Sequence, residues 1–258
     1  INSGHINMTF RATYRKPDGT TRRYIFQRVN DAVFPCPRDV MHNVEKVTNH
    51  IRWKMLRVLK TPFRQTLNLY SARGGRKYLE IPGSGFWRCY NCIENTHTFD
   101  VADHPRQAYE AARAFGAFQQ LLCDMNPEDI HETIPFFHHT RRRFDHLEKA
   151  AAADSHGRLN TCRKELDFIR RRERYVDVLL DLQERGELPV RIVHNDTKIN
   201  NVMLDRETDK AVCVIDLDTV MPGSVLYDFG DMVRTMTSPA AEDEENLDKT
   251  FLRMPMFE

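Results

Sequence analysis

The residues able to do chemistry concentrate in one stretch, RIVHNDTKINNVMLDRETDKAVCVIDLD, residues 191–218. Within it His194, Asp196 and Asn201 stand in an H-x-D-x4-N spacing. That spacing suits phosphoryl transfer: the aspartate aligns an attacking hydroxyl and takes its proton, and the asparagine helps hold Mg2+ against the phosphates. Lys198, between them, can offset charge on the group in transit, so His194, Asp196 and Lys198 are the catalytic candidates. The stretch is predicted to run as a strand (191–193), a polar loop (194–200), a short strand (202–204), a turn (205–209) and a strand (211–215). Asn201 then opens the first strand of a hairpin and Asp216 closes the second, and an antiparallel pair makes those two ends neighbours. A few oxygen donors with room left for phosphate are what Mg2+ prefers, so Asn201 and Asp216 are the metal candidates. Asp218 falls on the same side if the strand continues, as a second ligand or a hydrogen-bond partner. The bland reading is a chance match in a surface loop; the apolar strand before it and the Asp-terminated hairpin after it argue against that.

Asp228-Phe229-Gly230 spells a second magnesium-binding signature. It follows Met221-Pro222-Gly223, beyond the hairpin and away from Asn201. The metal role is therefore given to Asp216, and Asp228 and Asp231 are expected to brace the catalytic loop by hydrogen bonds.

The elements that position these residues divide by period. Up to about residue 100 the signals are mainly strands: 9–14 and 23–29 around the turn Lys16-Pro17-Asp18-Gly19, then 67–70, 77–81 and 86–93. A helix is expected from the Pro35–Asp39 region through residue 59, with proline at its entry. From Pro105, Ala108, Ala111, Phe115, Phe118, Leu122 and Met125 recur at three- and four-residue steps, an amphipathic helix. A second long helix is predicted over 160–185, ending at Gly186, and 242–245 reads as the acidic first turn of another. The basic clusters 141–143 and 170–172 read as solvated helix faces. The order is a small sheet-rich part, a hinge near 94–100 and a larger helical part, and a ligand cleft belongs between them.

Composition narrows the classes. The 38 Lys and Arg against 37 Asp and Glu give a formal charge of +1, which points neither to nucleic acid nor to a membrane surface. No apolar run is long enough to span a bilayer. Of six cysteines only Cys89 and Cys92 form a CxxC, in a predicted strand where positions three apart face opposite ways, so metal or redox pairing is not expected. A reducing cytoplasm is the default compartment. The opening INSGHINMTF has neither an initiator Met nor the layout of a signal peptide, so the chain is expected to be truncated at both ends.

The segments HNDTKINNVML, VIDLDTVMPG, YDFGDMVR, GHINMTF, FQRVN and HETIPFFHHT together resemble N-acetylhexosamine 1-kinases, within the aminoglycoside phosphotransferase and choline kinase-like superfamily. The resemblance runs from residue 4 to about 235. It implies an α+β, bilobal protein-kinase-like fold, with an N-terminal antiparallel sheet lobe (1–94) that binds nucleotide and a larger, mostly helical lobe (95–258) for catalysis and acceptor binding. It also implies ATP and Mg2+ as cofactors and the anomeric hydroxyl of GlcNAc or GalNAc as acceptor. By the same resemblance Gly4, His5 and Asn7 belong to a phosphate-covering turn, with His5 also a sugar contact. Arg28 stands where a kinase strand lysine is expected, with Phe26 on the same face and Glu45 as its partner. Residues 92–95, with Ile93 and Glu94, form the hinge beside adenine, and His138 and Thr140 offer hydrogen bonds to sugar hydroxyls. An aminoglycoside, choline or homoserine acceptor, a nucleotide-binding pseudokinase and a hydrolase are the rival readings. The acceptor loop carries one acid, Glu132, among several histidines, which disfavours a polycationic acceptor.

Overall fold

Aromatic and β-branched residues on either side of Lys16–Gly19 form a hairpin, β1 (Met8–Arg15) and β2 (Thr21–Arg28), in register Met8↔Arg28 to Arg15↔Thr21. Gly19 closes its turn at φ +83°, which an L side chain rarely adopts, and donates to the Lys16 carbonyl at 3.0 Å. This computed structural model describes residues 6–58 and 64–258. Strands β3 (Leu79–Ile81) and β4 (Gly85–Asn91) complete an antiparallel sheet of order β1-β2-β4-β3. Residues 67–70 run beside β4 as a single bridge, Leu69↔Tyr90, rather than as the predicted strand. Cys89 and Cys92 are both free thiols.

Helix α1 (Pro37–Val58) begins on a proline and buries Val40, Met41, Val44, Val47 and Ile51. After the two-residue strand β5 (Thr96–His97), helix α2 (Pro105–Leu122) is N-capped by His104, whose side chain accepts from the Arg106 amide. Its buried Ala108, Ala111, Phe115, Phe118 and Leu122 are those the periodicity picked out, and Met125 packs partly buried just past its end. The stripe joins two clusters: Phe118 and Leu122 pack with the α1 core, and Ala108, Ala111 and Phe115 with Ile199, Val202 and Leu204.

Residues 191–214 fold as β6 (Arg191–Val193), a loop, β7 (Val202–Asp205) and β8 (Ala211–Val214), followed by β9 (Met221–Gly223) and helix α6 (Val225–Thr237). β5, β7 and β8 make one small sheet, and β6 pairs with β9 in another. A Cβ on Gly223 would lie 2.7 Å from Val193 Cγ2, so only glycine lets β9 approach β6 this closely. Residues 247–249 form a short 3-10 turn and α7 (Met254–Phe257) ends the chain.

Packing groups Ile1–Ile134 with Arg191–Glu258, and separately Pro135–Val190. The second unit holds α3 (Thr140–Ala153), α4 (Arg163–Arg170) and α5 (Val178–Glu184). The single helix predicted over 160–185 is therefore broken. Residues 170–174 read RRRER: they offer no apolar face to bury and set like charges four apart, so the chain turns there instead. Among the described residues no helix is long and apolar enough to cross a membrane.

Candidate active site

His194 is wholly buried, with its ring edge-on to Phe115 and Phe118 of α2 at centroid distances of 5.2 and 5.7 Å. Its Nε2 lies 3.0 Å from the Ile215 carbonyl, and a carbonyl only accepts, so Nε2 carries the proton. Nδ1 is thereby an acceptor, and the Asp196 amide donates to it at 3.3 Å. The imidazole thus fixes both the loop at Asp196 and the strand end before Asp216.

The loop is braced from behind by α6. Buried Asp228 accepts from the His194 and Asn195 amides at 3.0 and 2.7 Å and from Gln119 of α2 at 2.8 Å. Asp231, one turn on, accepts from the Thr197 amide at 2.7 Å. Asn195 has φ +65° and donates its side-chain amide to the Thr219 carbonyl, and Thr219 Oγ1 donates to the His194 carbonyl. Asp228 and Asp231 are braces, as expected from their place beyond the hairpin.

Asn201 closes a 3-10 turn (Ile199–Asn201) just ahead of β7, one residue short of the predicted strand start. Its carbonyl accepts from the Ile215 amide at 2.8 Å, which brings the Asn201 and Asp216 ends of the hairpin together. Asn201 Nδ2 donates to the Asp196 carbonyl at 2.8 Å and to Asp196 Oδ2 at 2.9 Å. With the nitrogen committed, Oδ1 is the atom left for a cation. Asp216 does not continue the strand: it adopts φ 59° and ψ 63°, a left-handed conformation that Asp and Asn tolerate best, and opens the turn Leu217–Thr219. Burial pushes its carboxyl up to about 6; Asp218 and Asp196 add to the rise, against Arg88 and His194. A carboxylate so disfavoured as a bare anion suits a cation beside it, and with the Asn201 oxygen it makes a donor set that fits Mg2+.

Because the chain turns at Asp216, Asp218 takes the second of its expected roles, that of hydrogen-bond partner. It accepts from Asn7 Nδ2 at 2.7 Å and forms a buried ion pair with Arg88 Nη1 of β4. Asn7 in turn accepts from the Asn30 amide at 3.0 Å, and Thr133 of the HETIP segment donates to the Asp218 carbonyl at 3.1 Å. Asn7 thus stands at the site; Gly4 and His5 lie outside the described residues.

Lys198 Nζ is 3.2 Å from Asp196 Oδ1 and 2.8 Å from Glu242 Oε2. Burial alone would lower its ammonium, but Glu242 and Asp196 outweigh that and hold it above the ordinary lysine range. Glu242 also pairs with Arg234, which pairs with Asp231. Residues 242–245 therefore open no helix: the Lys198 and Arg234 contacts hold Glu242 in a turn.

A cleft of about 210 Å3 opens onto Asn201 and Asp216, lined also by Thr9, Ile25, Gln27, Arg88, Tyr90, Ile93, Asn200 and Met203 among others. Ile93 is there as expected of the hinge, while the Glu94 side chain turns to Arg23 at 2.6 Å. The expected Arg28–Glu45 pair does not form. Alternation on β2 puts Gln27 and Ile25 on the cleft face, and Arg28 on the opposite one, against the Gly85 turn. Phe26 likewise does not line the cleft and is 38% exposed. Arg88, opposite Gln27 in the β2–β4 register, is the cation at the cleft and was not singled out from the sequence. In the second unit, Thr140 begins α3 and its hydroxyl donates to the Val176 carbonyl at 2.5 Å, while the His138 ring lies 4.5 Å from that of Phe137.

A model of the phosphotransferase enzyme family matches residues 1–254. The chain belongs to that family. Its fold resembles an aminoglycoside phosphotransferase from Alicyclobacillus acidocaldarius (TM-score 0.56, 14% identity, covering 89% of this chain and 67% of that one). It also resembles an ethanolamine kinase of Plasmodium vivax (TM-score 0.51, 12% identity, 99% and 66%). A third likeness is to aminoglycoside 2'-phosphotransferase-IIIa, solved as a GDP complex (TM-score 0.55, 9% identity, 91% and 71%). The chain spans about two thirds of the length of these structures. At such identities they speak to fold: mixed α+β, with an antiparallel sheet lobe and a helical lobe, of the protein-kinase-like kind.

Proposed function

We propose that this phosphotransferase moves the γ-phosphoryl group of ATP to a hydroxyl of a small molecule, and that its acceptor is the anomeric hydroxyl of GlcNAc or GalNAc. The observation that carries the reaction type is the Asp196–Asn201–Asp216 cluster, braced by buried His194, with Asn201 and Asp216 lining the cleft. Nucleotide binding is assigned to residues 1–94, with adenine at the 92–95 hinge, and catalysis and acceptor binding to residues 95–258. Asn201 and Asp216 would hold Mg2+, which when bound neutralises phosphate charge. Asp196 aligns the acceptor hydroxyl and takes its proton, and Asn201 Nδ2 fixes the carboxylate that does so. Lys198 lies beside Asp196, where negative charge builds on the group in transit. Most of the rate enhancement then comes from positioning and charge rather than covalent work.

The acceptor rests on GHIN, HETIP and HNDTKINN, and on the scarcity of acid in the acceptor loop. An ATP-consumption assay against GlcNAc, GalNAc, their 1-O-methyl glycosides, kanamycin, ethanolamine and choline tests it. The two hexosamines are expected to react and the blocked glycosides to be inert, because a site built for directed hydrogen bonds rejects analogues that leave them unpaired. Phosphate on a 1-O-methyl glycoside, or a higher kcat/KM on kanamycin, ethanolamine or choline, overturns the acceptor. Nucleotide binding without turnover on any acceptor overturns the enzyme in favour of a pseudokinase.

A further inference from the structure

In this fold the cation that steadies the phosphates is expected on the strand next to the glycine turn, paired with an acid of the following helix. Here neither half is in place. The cleft-facing residues of β2 are Ile25 and the neutral Gln27, and Glu45 of α1 pairs with no cation among the described residues. α1 reaches the turn after β8 through a neutral contact instead: Asn43 Nδ2 donates to the Val220 carbonyl at 3.0 Å.

Charge of the right sign sits one strand over. The Arg88 side chain is 1% exposed, a burial that guanidinium groups tolerate only when paired and hydrogen-bonded. Its Nε and Nη2 donate to Gln27 Oε1 at 3.1 and 2.9 Å, and its Nη1 to Asp218 Oδ1. Gln27 is itself oriented by donating to Thr9 Oγ1 at 3.0 Å. A guanidinium has five N–H donors. Three are used by these contacts, so one on each terminal nitrogen remains, in a side chain that lines the cleft with Asn201 and Asp216. Two donors on a fixed planar fork suit phosphate oxygens, which a lysine could meet only as a point charge.

We infer that Arg88 is the residue that binds the phosphates of the nucleotide, with Asp218 of the metal turn, rather than an acid of α1, as the partner that positions it. The inference rests on the reading of this cleft as a nucleotide site. Asp218 follows Asp216 by two residues, so the phosphate anchor and the metal ligand are tied through one short turn. No side chain of α1 takes part in the pair, and Gln27 locks the fork from the other side.

The test is equilibrium binding of MgATP and of adenosine to the wild type and to Arg88→Met, Arg88→Lys, Arg28→Met, Glu45→Gln and the double variant Arg88→Met/Asp218→Asn. Arg88→Met should weaken MgATP at least about tenfold, the scale of a lost charge-assisted hydrogen bond, and leave adenosine within about twofold. Arg88→Lys should recover part of the loss, and Arg28→Met and Glu45→Gln should bind MgATP within about twofold of wild type. Arg88→Met alone strands a buried carboxylate; the double variant removes both charges, so a folding defect in the single variant does not end the test, and it should show the same loss. Wild-type MgATP affinity in the double variant, or equal losses for MgATP and adenosine, overturns the role. A wild-type protein that binds neither ligand overturns the nucleotide site itself, a different result.

Discussion

Arg88 and Asp218 are 1% and 2% exposed, whereas Arg141 and Asp177 in the second unit are 30% and 39% exposed, and Arg170 and Glu148 46% and 35%. The ion-pair chemistry is the same and the consequence is not. In the buried cluster each charged group has several fixed partners, because water cannot replace any of them: Asp218 takes Arg88 and Asn7, and Asp228 takes two loop amides and Gln119. In the second unit Arg141 spreads over Asp145, Glu173 and Asp177 with solvent beside it, and any one pair is expendable. What distinguishes the candidate site is therefore how many partners each charge has away from water.

The contrast breaks most readily at Asp228. Asp228→Ala leaves two buried backbone amides without acceptors, each at about 1–3 kcal/mol, so the loss of stability should reach roughly 3 kcal/mol or more in denaturant unfolding. The smaller effect is at Asp216, where the sign reverses. Its carboxyl is raised by burial to about 6, so between the ordinary aspartate range and about 6 the folded state binds the extra proton. Stability of the metal-free protein from this group falls as pH rises through that window. Asp216→Asn should accordingly stabilise metal-free protein at pH 7.5, by on the order of 2 kcal/mol, with the gain shrinking by pH 5. Magnesium with ATP should raise the melting temperature of the wild type and not of the variant. A variant less stable than wild type at pH 7.5 without metal would remove the case that Asp216 is a carboxylate awaiting a cation. Smallest of all, Arg141→Ala should barely move the melting temperature, and the residual shift should vanish in high salt; a drop as large as that of Asp228→Ala would erase the distinction between the two regions.

How much of this was legible depends on how local the cause is. The loop 194–200, the hairpin and the Asp228 braces lie within a few dozen residues, so motif spacing and strand pairing were enough to bring Asn201 and Asp216 together. Asp218 was left open between two roles because the left-handed turn at Asp216 is invisible in a strand pattern. The resemblance points to Arg28 and the sequence is silent on Arg88, because the face of a strand depends on a register that composition does not specify, and a one-residue difference exchanges cleft for outer surface. The cue was present in the β2–β4 pairing, which sets Arg88 opposite Gln27, but that pairing is non-local. Residues 160–185 failed for the opposite reason. Their helical propensity is real, but RRRER in the middle has nothing apolar to bury. Glu242 drew a helix prediction from its acidic neighbours, whereas distant Lys198 decided its place.

In the proposed reaction Asp196 aligns and deprotonates the acceptor and takes no part in holding the nucleotide. Asp196→Asn keeps the size of the side chain and removes the base. Binding of MgATP and turnover on GlcNAc or GalNAc, measured side by side on this variant, test the claim directly. MgATP affinity within about threefold of wild type with turnover reduced about 10²–10⁴-fold is the predicted result. Retention of more than about a tenth of wild-type turnover, or a loss of MgATP affinity that accounts for the lost rate, would contradict it.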